Sequence, residues 1–541
     1  MGQGPKTWKS RVPPFVTDLF VSPTARGSLL AGAAALFAAS LDPKVYGPSL
    51  PSVQAAIRER PELEGVVLLG ALAASSLLLL GGALGDSMRA RKLILGGLAV
   101  ELGAAVVSVV ATVISPEGPL FVGSRLVGHG AAAFIIPASL ALVATSYQGI
   151  TRATAIGVAY GALGAGGAAG PILLQVLPGV RAPAFAAVIA ACLLALWLGR
   201  DRIADLPRAI GPERRYVVGI AVWAFGIICL TVGLTWVGVP WDDPLRVALM
   251  VGGVLVLGLA LAHDRWRSGD TTESIRIDRR PAAVAVIIGV LLGIAQTAPM
   301  MQLPLYFRLV ERVGPLVAVI ALVPLFGALV LAGPIAGFLL SRASPRRLVG
   351  AGAIVVGAGN LLLAATVTAA GSYVLFIVPC LLVGAGYVIA TTVRTAIIFS
   401  SVPRGLPATA AALNEASISV GSRIGIVIVT AIVANAAVAS YTASLGAVSP
   451  TEAASAIDAF RQVLVAVGTP SWNQIAETVA AVDVAPYRAA FAVGVATALA
   501  ASGIVVVIGG AIAWVALGRR DPLATVYEHR DERADAVHPT A

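Results

Sequence analysis

Apolar residues dominate this chain in long runs that short polar segments separate. A helix needs about 17–25 predominantly apolar residues to cross a bilayer. The pattern therefore predicts fourteen membrane-spanning helices, called spans 1 to 14. Their approximate residues are 27–47, 65–86, 93–114, 119–146, 153–177, 183–199, 216–238, 245–263, 282–307, 315–340, 348–369, 372–400, 405–439 and 487–517.

The segment between spans 13 and 14, about 440–486, is the longest one that separates two spans. It contains the stretch TEAASAIDAFRQVLVAV, in which Ala, Ile, Phe and Val recur at helical spacing. We predict an amphipathic helix that packs as a cap on the outer face of the bundle.

Composition agrees with a polytopic membrane protein. Of the 541 residues, 58% are hydrophobic and 12% are charged, whereas soluble domains carry about 25% charged residues. The three cysteines lie inside apolar runs and the four histidines are scattered, so the sequence predicts no disulfide framework, metal site or cofactor. The chain has no G-x-x-x-x-G-K-[ST] loop for ATP.

The net charge of +10 could indicate nucleic-acid binding, but the basic residues sit in short clusters between the apolar runs. If the N-terminus is cytoplasmic, 26 basic residues fall on the inside and eight on the outside. This asymmetry predicts that both termini are cytoplasmic. Residues 1–26 contain no apolar core followed by a small-residue cleavage site, so we expect no cleaved signal peptide.

Two related motifs follow spans 2 and 10. GALGDSMRARK begins at Gly82, and GFLLSRASPRR begins at Gly337 about half a chain later. The first resembles the G-x-L-x-D-R-x-G-R-R/K motif of the major facilitator superfamily, and two copies are typical of duplicated halves. The resemblance implies that Asp86, with Arg91 and Lys92, forms a conformational gate, because Asp86 can accept hydrogen bonds from a helix N-terminus.

Three further stretches resemble the fourteen-helix drug:proton antiporter branch of that superfamily. They are LDPKVYGPSLP from Leu41, RLVGHGAAAFIIPASLAL from Arg125, and AIGVAYGALGAGGAAGP, which ends at Gly170 and Pro171. The resemblance implies a major facilitator fold, with two six-helix bundles plus two extra central helices, and adds Gly170 and Pro171 to the gate. The regularly spaced glycines of span 5 also fit close helix packing alone.

Charged residues within the spans are candidate functional groups because burying a charge in a bilayer is costly. Asp42 lies in a proline-weakened part of span 1, and Glu415 lies in span 13. We assign proton coupling to Asp42, Glu415 and, by the resemblance, Arg125. A static ion pair of Asp42 with Lys44 is the alternative for span 1.

Lys44, His129 and Arg423 are assigned to the substrate cavity. Arg423 follows Glu415 by eight residues, so both can border one cavity, and a structural pair of Glu415 with Arg423 or Lys44 is equally compatible with the sequence. His129 could titrate near neutral pH or simply be hydrogen-bonded in place.

Two other charged residues receive structural interpretations. Glu101 in span 3 is expected to neutralise a nearby arginine. Arg394 in span 12 is expected to extend its side chain to the cytoplasmic interface.

The sequence favours a proton-driven exporter of small amphipathic molecules in a bacterial inner membrane, acting as a monomer and not as an enzyme. Its partners are a small-molecule substrate, protons and the lipid bilayer, but no nucleic acid. The alternative is an exporter of an endogenous lipid or anionic metabolite, favoured by Lys44. A membrane enzyme or receptor is a third hypothesis, but the sequence contains no nucleophile–base pair or metal-ligand spacing that would support it. The predicted segments are 1–26 (cytoplasmic), 27–199 (first bundle), 200–281 (extra helices), 282–517 (second bundle) and 518–541 (cytoplasmic tail).

Overall fold

The computed structural model describes residues 22–45, 77–114, 119–176, 182–203, 214–235, 242–267, 279–340, 342–368, 372–402, 405–445, 450–466 and 485–517. Within these ranges the backbone forms only helices, turns and irregular connections. The helices are α1 (Pro23–Val45), α2 (Leu77–Ser87), α3 (Ala90–Ile114), α4 (Pro119–Ser146), α5 (Gly149–Val176), α6 (Ala182–Arg202), α7 (Arg214–Thr235), α8 (Pro244–Arg267), α9 (Arg279–Leu309), α10 (Pro315–Ile320), α11 (Val323–Leu340), α12 (Pro345–Thr368), α13 (Val374–Ser401), α14 (Pro407–Ser444), α15 (Pro450–Ala466) and α16 (Ala485–Ala516).

The all-helical, multi-pass prediction is confirmed. Across the described ranges, eleven apolar segments are long enough to cross a membrane, and three shorter apolar helices lie at spans 2, 7 and 8. Spans 1 to 9 correspond to α1–α9, and spans 11, 12, 13 and 14 correspond to α12, α13, α14 and α16.

Span 10 is not one continuous helix. It divides into α10 and α11, with a turn at Ala321 and Leu322. Pro324 explains the break, because a proline nitrogen cannot donate to the carbonyl four residues earlier, that of Ile320, and its ring clashes with that group. The proline was visible in the sequence, but the apolar run concealed its effect.

Two bundles face each other, one built from α1–α6 and the other from α9–α14 and α16. The first bundle has its own apolar core between α1, α3, α4 and α6. A larger buried cluster joins α5 and the ends of α1 and α4 to the second bundle. The halves therefore share a continuous apolar core. The end of the bundle where Asp86 lies is called the Asp86 end below.

The extra helices α7 and α8 form a hairpin that packs against the second bundle through α7. Asp243 Oδ1 accepts hydrogen bonds from the backbone N–H groups of Leu245 (2.9 Å) and Arg246 (3.0 Å) at the start of α8. The Arg246 side chain donates to the Gly233 carbonyl of α7 at 2.9 Å. Ala224 of α7 is buried with Ala412 of α14 and a residue of α2, so the hairpin lies beside the α2–α14 contact.

The predicted amphipathic helix is confirmed as α15, and it packs on one end of the bundle. The Phe460 ring stacks on Tyr487 of α16 with centroids 5.0 Å apart, and lies 4.7 Å from the ring of Tyr441 on α14. Helix α14 continues to Ser444, beyond the predicted limit of span 13. Its 38 residues extend about 57 Å, more than a bilayer core requires, and α15 packs on the projecting turns.

Candidate functional site: two buried charge clusters and a seam between the halves

The structure brings Asp42 and Arg125 together as a buried ion pair. Arg125 Nη1 donates to Asp42 Oδ1, although the residues are 83 positions apart. Asp42 is fully buried and Arg125 is 5% exposed. Asp42 Oδ2 has no hydrogen-bond partner in the described part of the chain, so it keeps an unused acceptor.

Neighbouring helices hold Arg125 in one orientation. Its Nε donates to Ser108 Oγ of α3 at 2.9 Å, and its guanidinium stacks 4.6 Å from the Phe185 ring centroid on α6. A Cβ at Gly128 would lie only 2.8 Å from Asp42 Oδ2. A glycine one turn after Arg125 therefore leaves the space that the carboxylate occupies.

Glu101 lies fully buried on α3 beside this pair and interacts electrostatically with both Asp42 and Arg125. This agrees with its predicted position near an arginine, although the direct contact of Arg125 is with Asp42. His129 is also buried on α4. The Lys44 side chain lies outside the described residues, so the structure leaves the predicted Asp42–Lys44 pair untested.

The second cluster surrounds Glu415 on α14. Its Oε1 accepts hydrogen bonds from Tyr160 Oη at 2.5 Å and from Asn414 Nδ2 at 3.0 Å. Tyr160 belongs to α5 of the first half, so this contact crosses between the halves. Glu415 is only partly buried.

The prediction that the Arg394 side chain extends to the cytoplasmic interface is wrong. The side chain is fully buried on α13. Its guanidinium donates to Ser417 Oγ (2.7 Å), the Ala285 carbonyl (3.2 Å) and the Asn414 carbonyl (3.2 Å). These partners, together with the space left by Gly289, hold a cation beside Glu415.

Arg423 is partly buried, and within the described ranges it forms no ion pair with Glu415. The alternative of a structural Glu415–Arg423 pair is therefore not formed in this conformation, and the alternative pair with Lys44 lies outside the described side chains. Eight residues place both side chains on one face of α14, but Glu415 turns toward α5, where a tyrosine donor lies closer.

Asp86 joins the two halves at the end of α2. Its Oδ1 and Oδ2 accept hydrogen bonds from the backbone N–H groups of Ala408 (2.7 Å) and Thr409 (2.9 Å). Both groups belong to the first turn of α14, whose N-cap residue Leu406 offers no side-chain acceptor. Asp86 therefore caps α14 from the other half and meets the positive end of its helix dipole.

The other predicted gate residues occupy different places. Arg91 donates to the Arg200 carbonyl and ties α3 to the end of α6 within the first half. Lys92 is exposed. Gly170 is buried and Pro171 partly buried near the opposite end of α5. Among the described contacts of the predicted gate residues, that of Asp86 alone reaches the other half.

The glycines of α5 form the second contact between the halves. A Cβ at Gly157 would lie 2.1 Å from the Gly333 carbonyl oxygen of α11, and one at Gly161 would lie 2.9 Å from the Val330 carbonyl oxygen. At the Asp86 end, a Cβ at Gly337 would meet Thr154 at 2.2 Å. We call these α5–α11 contacts and the Asp86–α14 contact the seam. It is closed in this structure.

Two helical halves that meet in this way, with charges buried on both sides of the contact, are typical of secondary membrane transporters. Residues 32–426 match the sequence profile of the Major Facilitator Superfamily. The chain belongs to this family, whose members are transporters. No cluster of potential metal ligands occurs among the described residues.

Relatives and solved structures agree with this assignment. The puromycin resistance protein pur8 of Streptomyces alboniger is 31% identical over 60% of this chain and 64% of its own length, slightly less than two thirds. The tetracenomycin C resistance and export protein of Streptomyces glaucescens is 26% identical over 80% of this chain and 81% of its own length. The human organic anion transporter MFSD10 shares the fold, with a TM-score of 0.55 and 13% identity over 91% of this chain and 100% of its own.

Proposed function

We propose that this protein is a proton-coupled secondary transporter that exports small amphipathic or hydrophobic molecules by alternating access. The observation that carries the proposal is the Asp42–Arg125 pair, sealed inside the first bundle. Buried ion pairs are costly inside membranes and mark functional sites there. The names of the two Streptomyces relatives support efflux of drug-like compounds.

The seam supplies the alternating access. In this conformation the halves touch at the Asp86 end through α5–α11 and through Asp86 at the start of α14. Separation of these contacts would open the space between the halves at the Asp86 end. Uphill export also needs a group whose charge differs between the two states, and we assign this role to Asp42 with Arg125, and to Glu415.

We assign the protein to the fourteen-helix drug:proton antiporter branch. The assignment is supported by the eleven long and three shorter apolar segments, which lie at the fourteen predicted spans. We assign residues 27–199 and 282–517 to the two bundles, 200–281 to an inserted pair of helices, and 1–26 and 518–541 to cytoplasmic tails. The protein would act as a monomer in a bacterial inner membrane.

The second candidate function is export of an endogenous lipid or an anionic metabolite. Its support is Arg423, a partly buried cation on α14 that has no ion pair among the described side chains. An unpaired cation beside a transport path attracts an anionic group and disfavours a lipophilic cation.

Transport by purified protein in liposomes tests both candidates. Vesicles with an acidic lumen should accumulate puromycin and the cationic dye ethidium, and a protonophore should abolish the accumulation. Accumulation of carboxyfluorescein without ethidium would support the anionic candidate instead. If ethidium or carboxyfluorescein equilibrates across the membrane independently of the pH gradient, this result would contradict proton coupling.

Replacement of Asp86 by asparagine should slow transport while the protein stays folded. Asparagine keeps one acceptor but loses the charge that faces the α14 dipole, which should weaken closure by about 1–2 kcal/mol. We expect several-fold slower ethidium efflux at unchanged expression. Asp243→Asn is the matched control, because Asp243 caps α8 within the hairpin. Unchanged efflux in Asp86→Asn would contradict the gate role.

The proposed orientation places α15 outside the cell. Ser455 is exposed on α15, whereas the native cysteines Cys192, Cys229 and Cys380 are buried. A Ser455→Cys variant should therefore react with an impermeant maleimide added to intact cells. Labelling only after the cells are opened would show the reverse orientation.

A further inference from the structure

Tyr160 of the first half reaches across the seam into a polar group of the second half. It lies on α5, between the seam glycines Gly157 and Gly161, and it is 4% exposed. Its hydroxyl lies among three side chains of α13 and α14, namely Thr395, Asn414 and Glu415. A buried tyrosine hydroxyl requires a hydrogen-bond partner, and here all of its described partners belong to the opposite half.

The hydrogen bonds have a definite direction. Tyr160 Oη donates to Glu415 Oε1 at 2.5 Å, and it accepts from Asn414 Nδ2 and from Thr395 Oγ1 at 3.2 Å. Asn414 also donates to Glu415. Two donors thus converge on one carboxylate oxygen, which is the arrangement that stabilises an ionised carboxylate.

The other groups around Glu415 cannot replace Tyr160 as a link between the halves. Arg394 and Tyr387 lie on α13 and interact electrostatically with Glu415, but α13 belongs to the same half as α14. Donation to Ser417 and to two backbone carbonyls already holds the Arg394 guanidinium. Among the described contacts of Glu415, the hydrogen bond from Tyr160 alone depends on how the halves meet.

We propose that Tyr160 is a positioning residue that links the charge of Glu415 to closure of the seam; this rests on the proposed function. When α5 moves away from α11, Tyr160 moves with its neighbouring glycines and leaves the carboxylate. An ionised Glu415 therefore favours the closed seam, and a protonated Glu415 binds Tyr160 less strongly. By thermodynamic reciprocity, closure of the seam in turn favours loss of the proton.

This direction fits an exporter whose Asp86 end faces the cytoplasm. In such an exporter the closed seam belongs to the outward-facing state, in which a proton from outside reaches the partly buried Glu415. Protonation then weakens the Tyr160 contact and allows the seam to open inward. A substrate that enters from the cytoplasm would meet a carrier that has just delivered its proton.

Spin labels across the Asp86 end can measure this linkage without any substrate. Ser87 and Arg347 are exposed there, one on each half, and alanine can replace the three native cysteines. Pulsed distance measurements in lipid nanodiscs should show the closed population increasing between about pH 5 and about pH 9. Phe at position 160 removes only the hydroxyl, so Tyr160→Phe should reduce the closed-to-open ratio about tenfold at high pH and flatten its pH dependence.

Tyr387→Phe is the matched control, because it removes a hydroxyl near the same carboxylate without touching the seam. We expect it to keep the wild-type pH dependence. Glu415→Gln should remove the part of the pH dependence that requires Tyr160, so Tyr160→Phe should then have little additional effect. A wild-type pH profile in Tyr160→Phe, or an equal loss in Tyr387→Phe, would overturn the proposal.

The outcomes separate this inference from the proposed function. Size-exclusion profiles and thermal unfolding of each variant identify failures of folding. If the distances depend on pH through Tyr160 but no pH gradient drives puromycin or ethidium transport, the linkage holds and the proposed function fails. If a pH gradient drives transport in both wild type and Tyr160→Phe, and the spin-label distances are the same in both, the proposed function holds and the linkage through Tyr160 fails.

Discussion

Asp42→Asn should reduce gradient-driven accumulation of ethidium in acid-loaded liposomes to the background level, while downhill equilibration continues. Asparagine preserves the shape of the side chain and an acceptor oxygen for Arg125, but it cannot exchange a proton. Because Asp42 is fully buried and in direct contact with Arg125, removal of its charge also leaves a cation uncompensated. Breaking a buried pair in this way typically costs about 3–5 kcal/mol, so stability must be measured alongside transport.

A double variant separates coupling from stability. Arg125→Gln alone should destabilise the protein in the same manner, whereas Asp42→Asn combined with Arg125→Gln removes both charges and should recover most of the lost stability. We expect the double variant to unfold near the wild-type temperature and still fail to accumulate ethidium uphill. Full accumulation by Asp42→Asn would make Asp42 structural, and Glu415→Gln would then be expected to lose coupling instead.

The sequence predicted which helices carry the charges better than which charges meet. Asp42, Arg125 and Glu415 stand out because a charge within an apolar run is rare. Their partners lie 83 and 255 residues away, and one sequence contains no signal for such distances. The candidates Lys44 and Arg423 were chosen by proximity along a helix, which does not determine the tertiary partner.

Tyr160 and Arg394 show what the hydropathy pattern conceals. Tyrosine counts as apolar in a span, so the pattern did not distinguish Tyr160 from its neighbours, although a buried hydroxyl needs a partner. Arg394 lies about two turns from the end of α13, where an extended side chain could reach the interface. Only packing shows that it turns inward, into the space beside Gly289.

The glycines and Asp86 were more informative. Helical spacing of Gly157, Gly161 and Gly164 predicted a close helix contact, but not that α11 of the other half supplies it. The motif around Asp86 predicted an acceptor for a helix N-terminus, and the sequence could not tell which of many helices begins there. Short-range geometry was thus predictable, whereas the pairing of the halves required the fold.

Gly157→Ala should hold the seam open and cause a large loss of transport. The added Cβ would lie 2.1 Å from the Gly333 carbonyl oxygen and 2.5 Å from its carbonyl carbon. These are backbone atoms of α11, so they cannot rotate away as a side chain can, and the two helices must separate by more than 1 Å to reach ordinary contact. Overpacking of this kind costs about 1–3 kcal/mol, equivalent to about a five- to 150-fold shift from closed to open.

Gly167→Ala is the control on the same helix, because no described atom lies within 4 Å of a Cβ there. Both variants gain the same helix propensity of about 1 kcal/mol, so only the steric contact differs. Spin labels at positions 87 and 347 should report a longer distance in Gly157→Ala, and ethidium efflux should fall at least tenfold, while Gly167→Ala behaves as wild type. Since each bundle keeps its own contacts, thermal unfolding should change little. A normal distance distribution with normal efflux in Gly157→Ala would mean that α5 and α11 need not touch during the transport cycle.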